Sequence, residues 1–263
     1  LAKFDRMPGL FRPAFRNKTV TVYRLARAPA PDAGEAPAAA GPAPASTAAP
    51  KASLRGAGEG EGPGEYREPR GIAVDVNGNI YVADFRNARI QRFGPDGLFI
   101  GMWGEEGDLP GQFKDPCDVK ADAKGGIWVA DTFNHRIQSF VADGTFVASY
   151  EGGPFAPRGI AVDGRGRVWV SDTGNGAVKL FTAPGDPPRL IGSKGTGDGE
   201  FDMPVGIAVD REGRVYVADA GNRRVQVLDR EGNYLRQFPV DGWRGGAFNE
   251  PYLALDGRGG IYL

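Results

Sequence analysis

Cysteine and histidine are almost missing: Cys117 and His135 are the only examples in 263 residues. One thiol excludes a disulfide framework and any multi-thiolate zinc or iron–sulfur site, and one imidazole excludes metal centres built on two or three histidines. No run approaches the 18 apolar residues of a membrane span, and the N-terminus shows no apolar stretch of the signal-peptide kind. Net charge is close to nil, −1 from 32 basic and 33 acidic groups.

Glycine and proline are plentiful, 41 and 21 residues, which fits either many turns or an unfolded segment. The two explanations apply to different stretches. Residues 28–53 hold twelve Ala and six Pro with almost no large apolar side chain, the composition of a semi-rigid, solvated linker. Before it lies a basic head, residues 1–27, with seven basic groups and one acid. The head contains Thr19-Val20-Thr21-Val22-Tyr23-Arg24-Leu25, whose alternation predicts one strand. A lone strand has no stability of its own, so this stub is expected to end a preceding domain. It is weakly similar to the C-terminal tail of bacterial multi-spanning membrane glycosyltransferases, which implies a membrane-tethered, extracytoplasmic chain with membrane contact only through that missing domain.

From residue 54 the charge is −6, with 24 basic and 30 acidic groups, which speaks against nucleic acid as a partner. From residue 64 the chain repeats. Gly71-Ile-Ala-Val-Asp75 aligns with Asp118-Val-Lys-Ala-Asp122, Gly159-Ile-Ala-Val-Asp163, Gly206-Ile-Ala-Val-Asp210 and Leu253-Ala-Leu-Asp256. Each Asp opens Asp-x-x-Gly-x-(Ile/Val), a hairpin turn whose Gly78, Gly125, Gly166, Gly213 or Gly259 is expected to take positive φ. The second runs end at Asp84, Asp131, Asp172 and Asp219, each followed three positions on by Asn87, Asn134, Asn175 or Asn222. Third and fourth runs follow, the fourth ending near Trp103, Tyr150, Ile191 or Phe238. Between units lies Gly-x-(Phe/Tyr)-x-x-Pro, shortened before the third unit to Phe155-Ala156-Pro157.

Units of four short strands without helices predict an all-β chain, a β-propeller whose blades bury their faces by stacking around an axis. Pro-Arg-Gly-Ile-Ala-Val-Asp, Ile-Tyr-Val-Ala-Asp and Asp131-Thr-Phe-Asn134-His135-Arg136-Ile137-Gln138 resemble the NHL repeat family over residues 54–263. The resemblance implies a six-bladed ring in the intact protein. Residues 54–263 would hold four complete blades and a truncated fifth with an open edge, and Lys51–Gly56 would supply an outer strand of the last blade.

Repetition separates architecture from function. Asp84, Asp131, Asp172 and Asp219 are expected to cap the Asp-x-x-Asn turn, with Asn87, Asn134, Asn175 and Asn222 taking positive φ. Arg89, Arg136 and Arg224 are read as structural, and because unit three has Ala177 in their place, Asp172 is expected to stand without such a partner. The candidate ligand-binding set is what differs between blades on one loop face: Arg70, Phe85, Arg86, Phe133, His135, Arg158, Arg223 and Tyr252, with Cys117 a packed thiol. Arginine beside exposed aromatic side chains suits a protein or carbohydrate partner. The expected function is therefore a non-enzymatic binding or scaffold module, with no catalytic residue, cofactor or metal. The resemblance also implies two alternatives: an amidating-lyase-like or lactonase-like enzyme with a divalent metal in the central channel, and an RNA-binding domain.

Overall fold

The structure is a computed structural model that describes residues 11–16, 21–25, 58–240, 251–256 and 260–263, the first two segments by their backbone pairing. Strands in chain order are β1 Phe11–Arg16, β2 Thr21–Leu25, β3 Gly58–Glu59, β4 Glu65–Tyr66, β5 Pro69–Val74, β6 Ile80–Asp84, β7 Arg89–Phe93 and β8 Phe99–Trp103. They continue as β9 Pro116–Ala121, β10 Ile127–Asp131, β11 Arg136–Phe140, β12 Phe146–Tyr150, β13 Gly159–Val162, β14 Val168–Asp172, β15 Ala177–Phe181 and β16 Arg189–Ile191. The last are β17 Ser193–Lys194, β18 Glu200–Phe201, β19 Pro204–Val209, β20 Val215–Asp219, β21 Arg224–Leu228, β22 Tyr234–Pro239, β23 Ala254–Leu255 and β24 Ile261–Tyr262. The only helical elements among the described residues are single 3-10 turns.

Four sheets have the order expected of blades: β5-β6-β7-β8, β9-β10-β11-β12, β13-β14-β15-β16 and β19-β20-β21-β22, all antiparallel. The Asp-x-x-Gly turns punctuate them as expected, with φ of +83° at Gly78 and +88° at Gly125. Every residue of the second strands β6, β10, β14 and β20 is buried. Burial on both faces requires a neighbour on each side, and the core lies in the seams between blades. Tyr81, Ala83 and Ile90 of blade one pack with Val119, Ile127, Val129 and Phe140 of blade two. Trp169 and Leu180 of blade three pack in the same way with Ile207, Val215 and Leu228 of blade four.

The inner strands come close enough to require glycine. A Cβ on Gly206 would sit 2.5 Å from the Pro251 carbonyl oxygen, and one on Gly71 2.6 Å from Asp118 Cα. Blade one is the exception to two-sided burial. Ile72 is 57% exposed, whereas its repeat equivalents Val119, Ile160, Ile207 and Leu253 are at most 5% exposed. The outward face of β5 therefore carries uncovered apolar surface, at Ile72 and Val74.

The N-terminal head differs from the expectation of a separate unit. Phe11–Arg16 and Thr21–Leu25 form two paired strands rather than one, and the fifth sheet has the order β1-β2-β24-β23. The hairpin thus stands where strands four and three of a blade belong. Arg24 pairs with Tyr262, the register in which Arg92 pairs with Tyr81 and Val227 with Tyr216. That register sets Val22 and Leu25 at the positions of Ile90 and Phe93 in blade one, so the repeat's third-strand pattern is matched from the other end of the chain. The edge of β24 is therefore paired, where the expectation was an open one. The proposed strand at Lys51–Gly56 and the linker at 28–53 lie outside the described residues.

Candidate functional site

Each second-strand aspartate ends its strand at a loop and collects donors there. Asp131 Oδ1 accepts the Lys114 N–H at 2.7 Å, and Oδ2 accepts Asn134 Nδ2 (2.9 Å), Arg136 Nε (2.8 Å) and Gln138 Nε2 (3.0 Å). Asp84 and Asp219 repeat the set through Asn87, Arg89 and Gln91, and through Asn222, Arg224 and Gln226. The carboxylates are engaged within the blade, but not in the expected cap geometry. They bind the backbone of the inter-blade loop 17 residues earlier, not their own turn. Nor does the asparagine take positive φ. The residue after it does, at Ala88 (+48°), His135 (+56°), Gly176 (+64°) and Arg223 (+55°), because Asn closes a 3-10 turn and its side chain is spent on Asp.

The arginines fasten the inter-blade loops. Arg136 donates to the carbonyls of Asp108 (2.7 Å), Leu109 (2.9 Å) and Gln112 (3.0 Å), and Arg224 to those of Thr196, Gly197 and Glu200. Blade three shows why Ala177 is tolerated. Its loop is the shortened one, so the carbonyls an arginine would hold are gone, and Lys179 supplies the cation from two residues further on. Lys179 Nζ lies 3.3 Å from Asp172 Oδ2 and 3.0 Å from the Gly152 carbonyl oxygen. Asp172 does have a cation in its own blade, which the sequence reading missed by looking at one position.

A second polar repeat escaped the sequence reading altogether. The turn aspartates accept a bond from the aromatic residue six positions on: Tyr81 to Asp75 (3.0 Å), Trp128 to Asp122 (2.8 Å), Trp169 to Asp163 (3.3 Å), Tyr216 to Asp210 (3.1 Å) and Tyr262 to Asp256 (3.4 Å). The spacing is visible in the sequence once strand one is known to lie beside strand two. Burial, with the Asp75 carboxylate beside it, pushes the Tyr81 phenol up to about 12.

The loops joining second to third strands hydrogen-bond to the inter-blade loops, as in Arg86 N–H to Arg67 (3.1 Å), Phe133 N–H to Lys114 (3.1 Å) and Gly221 N–H to Asp202 (2.9 Å). They therefore share one face, and most of the candidate residues stand on it. Phe85 is not an exposed aromatic as expected: it is 4% exposed, with the guanidinium carbons of Arg70 and Arg86 at 3.9 and 4.7 Å from its ring centre. Arg86 also pairs with Glu68 (3.3 Å) and Asp115 (3.4 Å). His135 Nδ1 accepts the Ala156 N–H at 3.1 Å and its ring stacks on Phe155 at 4.9 Å, a positioning role. Phe133 and Phe155 are 45% and 52% exposed, and Arg223 is exposed. Arg158 is half-buried, and Tyr252 donates to the carbonyl oxygen of buried Cys117 at 3.1 Å.

Arg70 and Tyr252 also border an open cavity of 930 Å³ lined by the inner strands of the four blades and of the fifth sheet, the central channel. Its walls are mostly aliphatic, with Arg70, Tyr252 and Tyr262 among them and with Asp118 and Lys120 where blade two replaces the usual glycine and alanine. Both Asp118 oxygens are engaged: Oδ1 accepts Lys120 Nζ (2.6 Å) and the Val119 N–H (2.9 Å), Oδ2 the Ile160 N–H (3.0 Å). Burial pushes its carboxyl above the usual range, Lys120 acting in the opposite sense. A single buried carboxylate beside an ammonium does not fit a divalent cation. Among the described residues no three His, Cys, Asp or Glu side chains converge elsewhere on a metal-sized site, and no helix is long and apolar enough to cross a membrane.

Residues 66–93, 156–181 and 201–228 match the NHL repeat family, and these are the bodies of blades one, three and four. The chain carries NHL repeats. Blade two, with Asp118 and Lys120, lies outside the three matched stretches of this NHL chain. Peptidyl-glycine alpha-amidating monooxygenases B and A of Xenopus laevis are 51% identical over 41 residues, 15% of this chain and 5% and 4% of theirs. The NHL propeller also superposes on virginiamycin B lyase of Staphylococcus aureus with a TM-score of 0.52 and 18% identity, covering 65% of this chain and 55% of the lyase. A chain of a nidogen/laminin complex gives 0.54 and 19%, covering 66% and 64%, and a gluconolactonase of Xanthomonas campestris 0.55 and 19%, covering 74% and 70%. This NHL chain thus spans about 5% of the amidating enzymes it matches and about half of the lyase. At such identities the solved structures establish the propeller fold.

Proposed function

We propose that this NHL propeller is a non-enzymatic binding module whose loop face docks a protein partner. One observation carries the reading: the repeated Asp, Asn, Arg and Gln side chains are consumed inside the blades, so the reactive-looking chemistry is architecture. What remains for a ligand is blade-specific, namely exposed Phe133, the His135–Phe155 stack, Arg86 with its acidic neighbours, and Arg223. Exposed aromatic rings flanked by arginines and carboxylates are the usual anchors of protein interfaces. The fold's occurrence in the nidogen/laminin complex agrees with such a role.

Full chain immobilised on beads is to be exposed to extract from its own source organism, beside the double variant Phe133→Ala, Phe155→Ala. A partner retained by the native chain and lost by a variant of unchanged Tm supports the proposal. Retention that ignores both rings contradicts it, as does retention of glycans alone on a glycan array. Metal-dependent hydrolysis of a lactone by the purified chain would favour the enzymatic reading instead.

A further inference from the structure

Asp118 ties blade two to blade three through the Ile160 N–H, but the blade architecture does not account for the Lys120 ammonium beside it. At the Lys120 position the other sheets carry Ala73, Ala161, Ala208 and Ala254, and at the Asp118 position blades one, three and four carry glycine. A pair that needs desolvating two charges adds little stability over small apolar residues. The same seam is made three times without it. Blade two therefore sets an ammonium beside a buried carboxylate at the wall of a largely aliphatic cavity.

We propose that the channel binds a small aliphatic monocarboxylate, with its carboxylate on Lys120 Nζ and its chain along the apolar walls. Asp118 takes three donors, Lys120 Nζ and two backbone amides, and its side chain is only 2% exposed, so burial keeps it from a ligand cation. The ammonium has three protons. One goes to Asp118 at 2.6 Å, and the next acceptor, the Val119 carbonyl oxygen, lies at 3.4 Å. Donor capacity is left over on a side chain that is 27% exposed, and the channel is where that exposure lies. The charged groups of the lining are Arg70, Asp118 and Lys120; Arg70 stacks on the Phe85 ring and faces Asp115, so the Lys120 ammonium offers one cation to one anionic group. The remaining wall includes Val74, Ala161, Val162, Ala208, Val209 and Leu255, which fits an alkyl chain. This site meets the loop-face set only at Arg70 and Tyr252, which the protein-docking reading does not use, so it stands or falls apart from that reading.

Calorimetric titration of the full chain with octanoate, octanol and octylamine tests it, since the three share a tail and differ in the head group. Octanoate is expected to bind at least tenfold more tightly than octanol, and octylamine not at all. Lys120→Met reduces octanoate to the octanol level, and Lys120→Arg restores most of the difference. Because Lys120→Met strands the Asp118 carboxyl, the double variant Asp118→Asn, Lys120→Met keeps the seam neutral and must show the same loss at an unchanged Tm. The proposal is overturned by octanoate and octanol binding alike, by affinity that survives in the double variant, or by binding of none of the three.

Discussion

Asp131 receives four donors and Asp172 three, because blade three lacks the arginine and the glutamine and offers Lys179 for both. Removing the charge from a buried carboxylate that holds a buried guanidinium costs about 3–5 kcal/mol. Asp131→Asn is therefore expected to lower Tm more than Asp172→Asn, whose cation is a flexible ammonium that reaches the Gly152 carbonyl without it. Thermal unfolding of the two variants side by side checks the order, and equal losses would mean that the arginine adds nothing. The turn aspartates have a pH signature. Burial pushes the Asp75 carboxyl up, but bonds from Asn79, Tyr81 and Asn77 outweigh it and hold it below the usual value. A carboxyl with a depressed folded pKa adds stability above its unfolded pKa of about 3.9 and loses it as pH falls through the folded value. Asp75→Asn should thus destabilise the chain at pH 7 and shrink the drop in Tm on acidification below about pH 4. An undiminished acid drop would contradict the assignment.

At the scale of elements, strands were legible wherever a turn signal repeated. Asp-x-x-Gly-x-(Ile/Val) marks the first hairpin of every blade in one register, and the runs starting at Ile80, Ile127, Val168 and Val215 begin where the sequence places them. What was not legible depends on pairing distant in the chain. Phe11–Arg16 contains Pro13 and shows no alternation, and nothing near residues 19–25 points to β24 some 240 positions away. Lys179 was hidden for a related reason: its work is defined by a loop carbonyl at Gly152, and the alignment of Ala177 with arginine draws the eye to the wrong position. Asp118 and Lys120 stand in the aligned runs without comment from the sequence, because their meaning depends on knowing that this strand lines the channel. The hairpin makes a direct prediction. Arg24→Cys with Tyr262→Cys is expected to crosslink on oxidation within one chain, the two being Cα partners, whereas Arg24→Cys with Leu255→Cys, one strand further away, is not. Absence of the crosslink, or a crosslink only between two chains, would remove β1 and β2 from the fifth blade.

For the whole molecule, stability is expected to reside in the seams. A blade alone cannot bury both faces of its second strand, so each apolar residue is worth what the adjoining blade covers. Blade one makes the comparison available within one chain, because Ile72 and Ile160 hold the same place in the repeat, one 57% exposed and the other fully buried. The most direct measurement is the thermal unfolding of Ile72→Ala beside Ile160→Ala. Ile160→Ala should cost about 2–5 kcal/mol through the cavity it leaves, and Ile72→Ala well under about 1 kcal/mol. Equal losses at the two positions would show that the face of blade one is covered in solution, and would contradict the seam-by-seam account of this propeller.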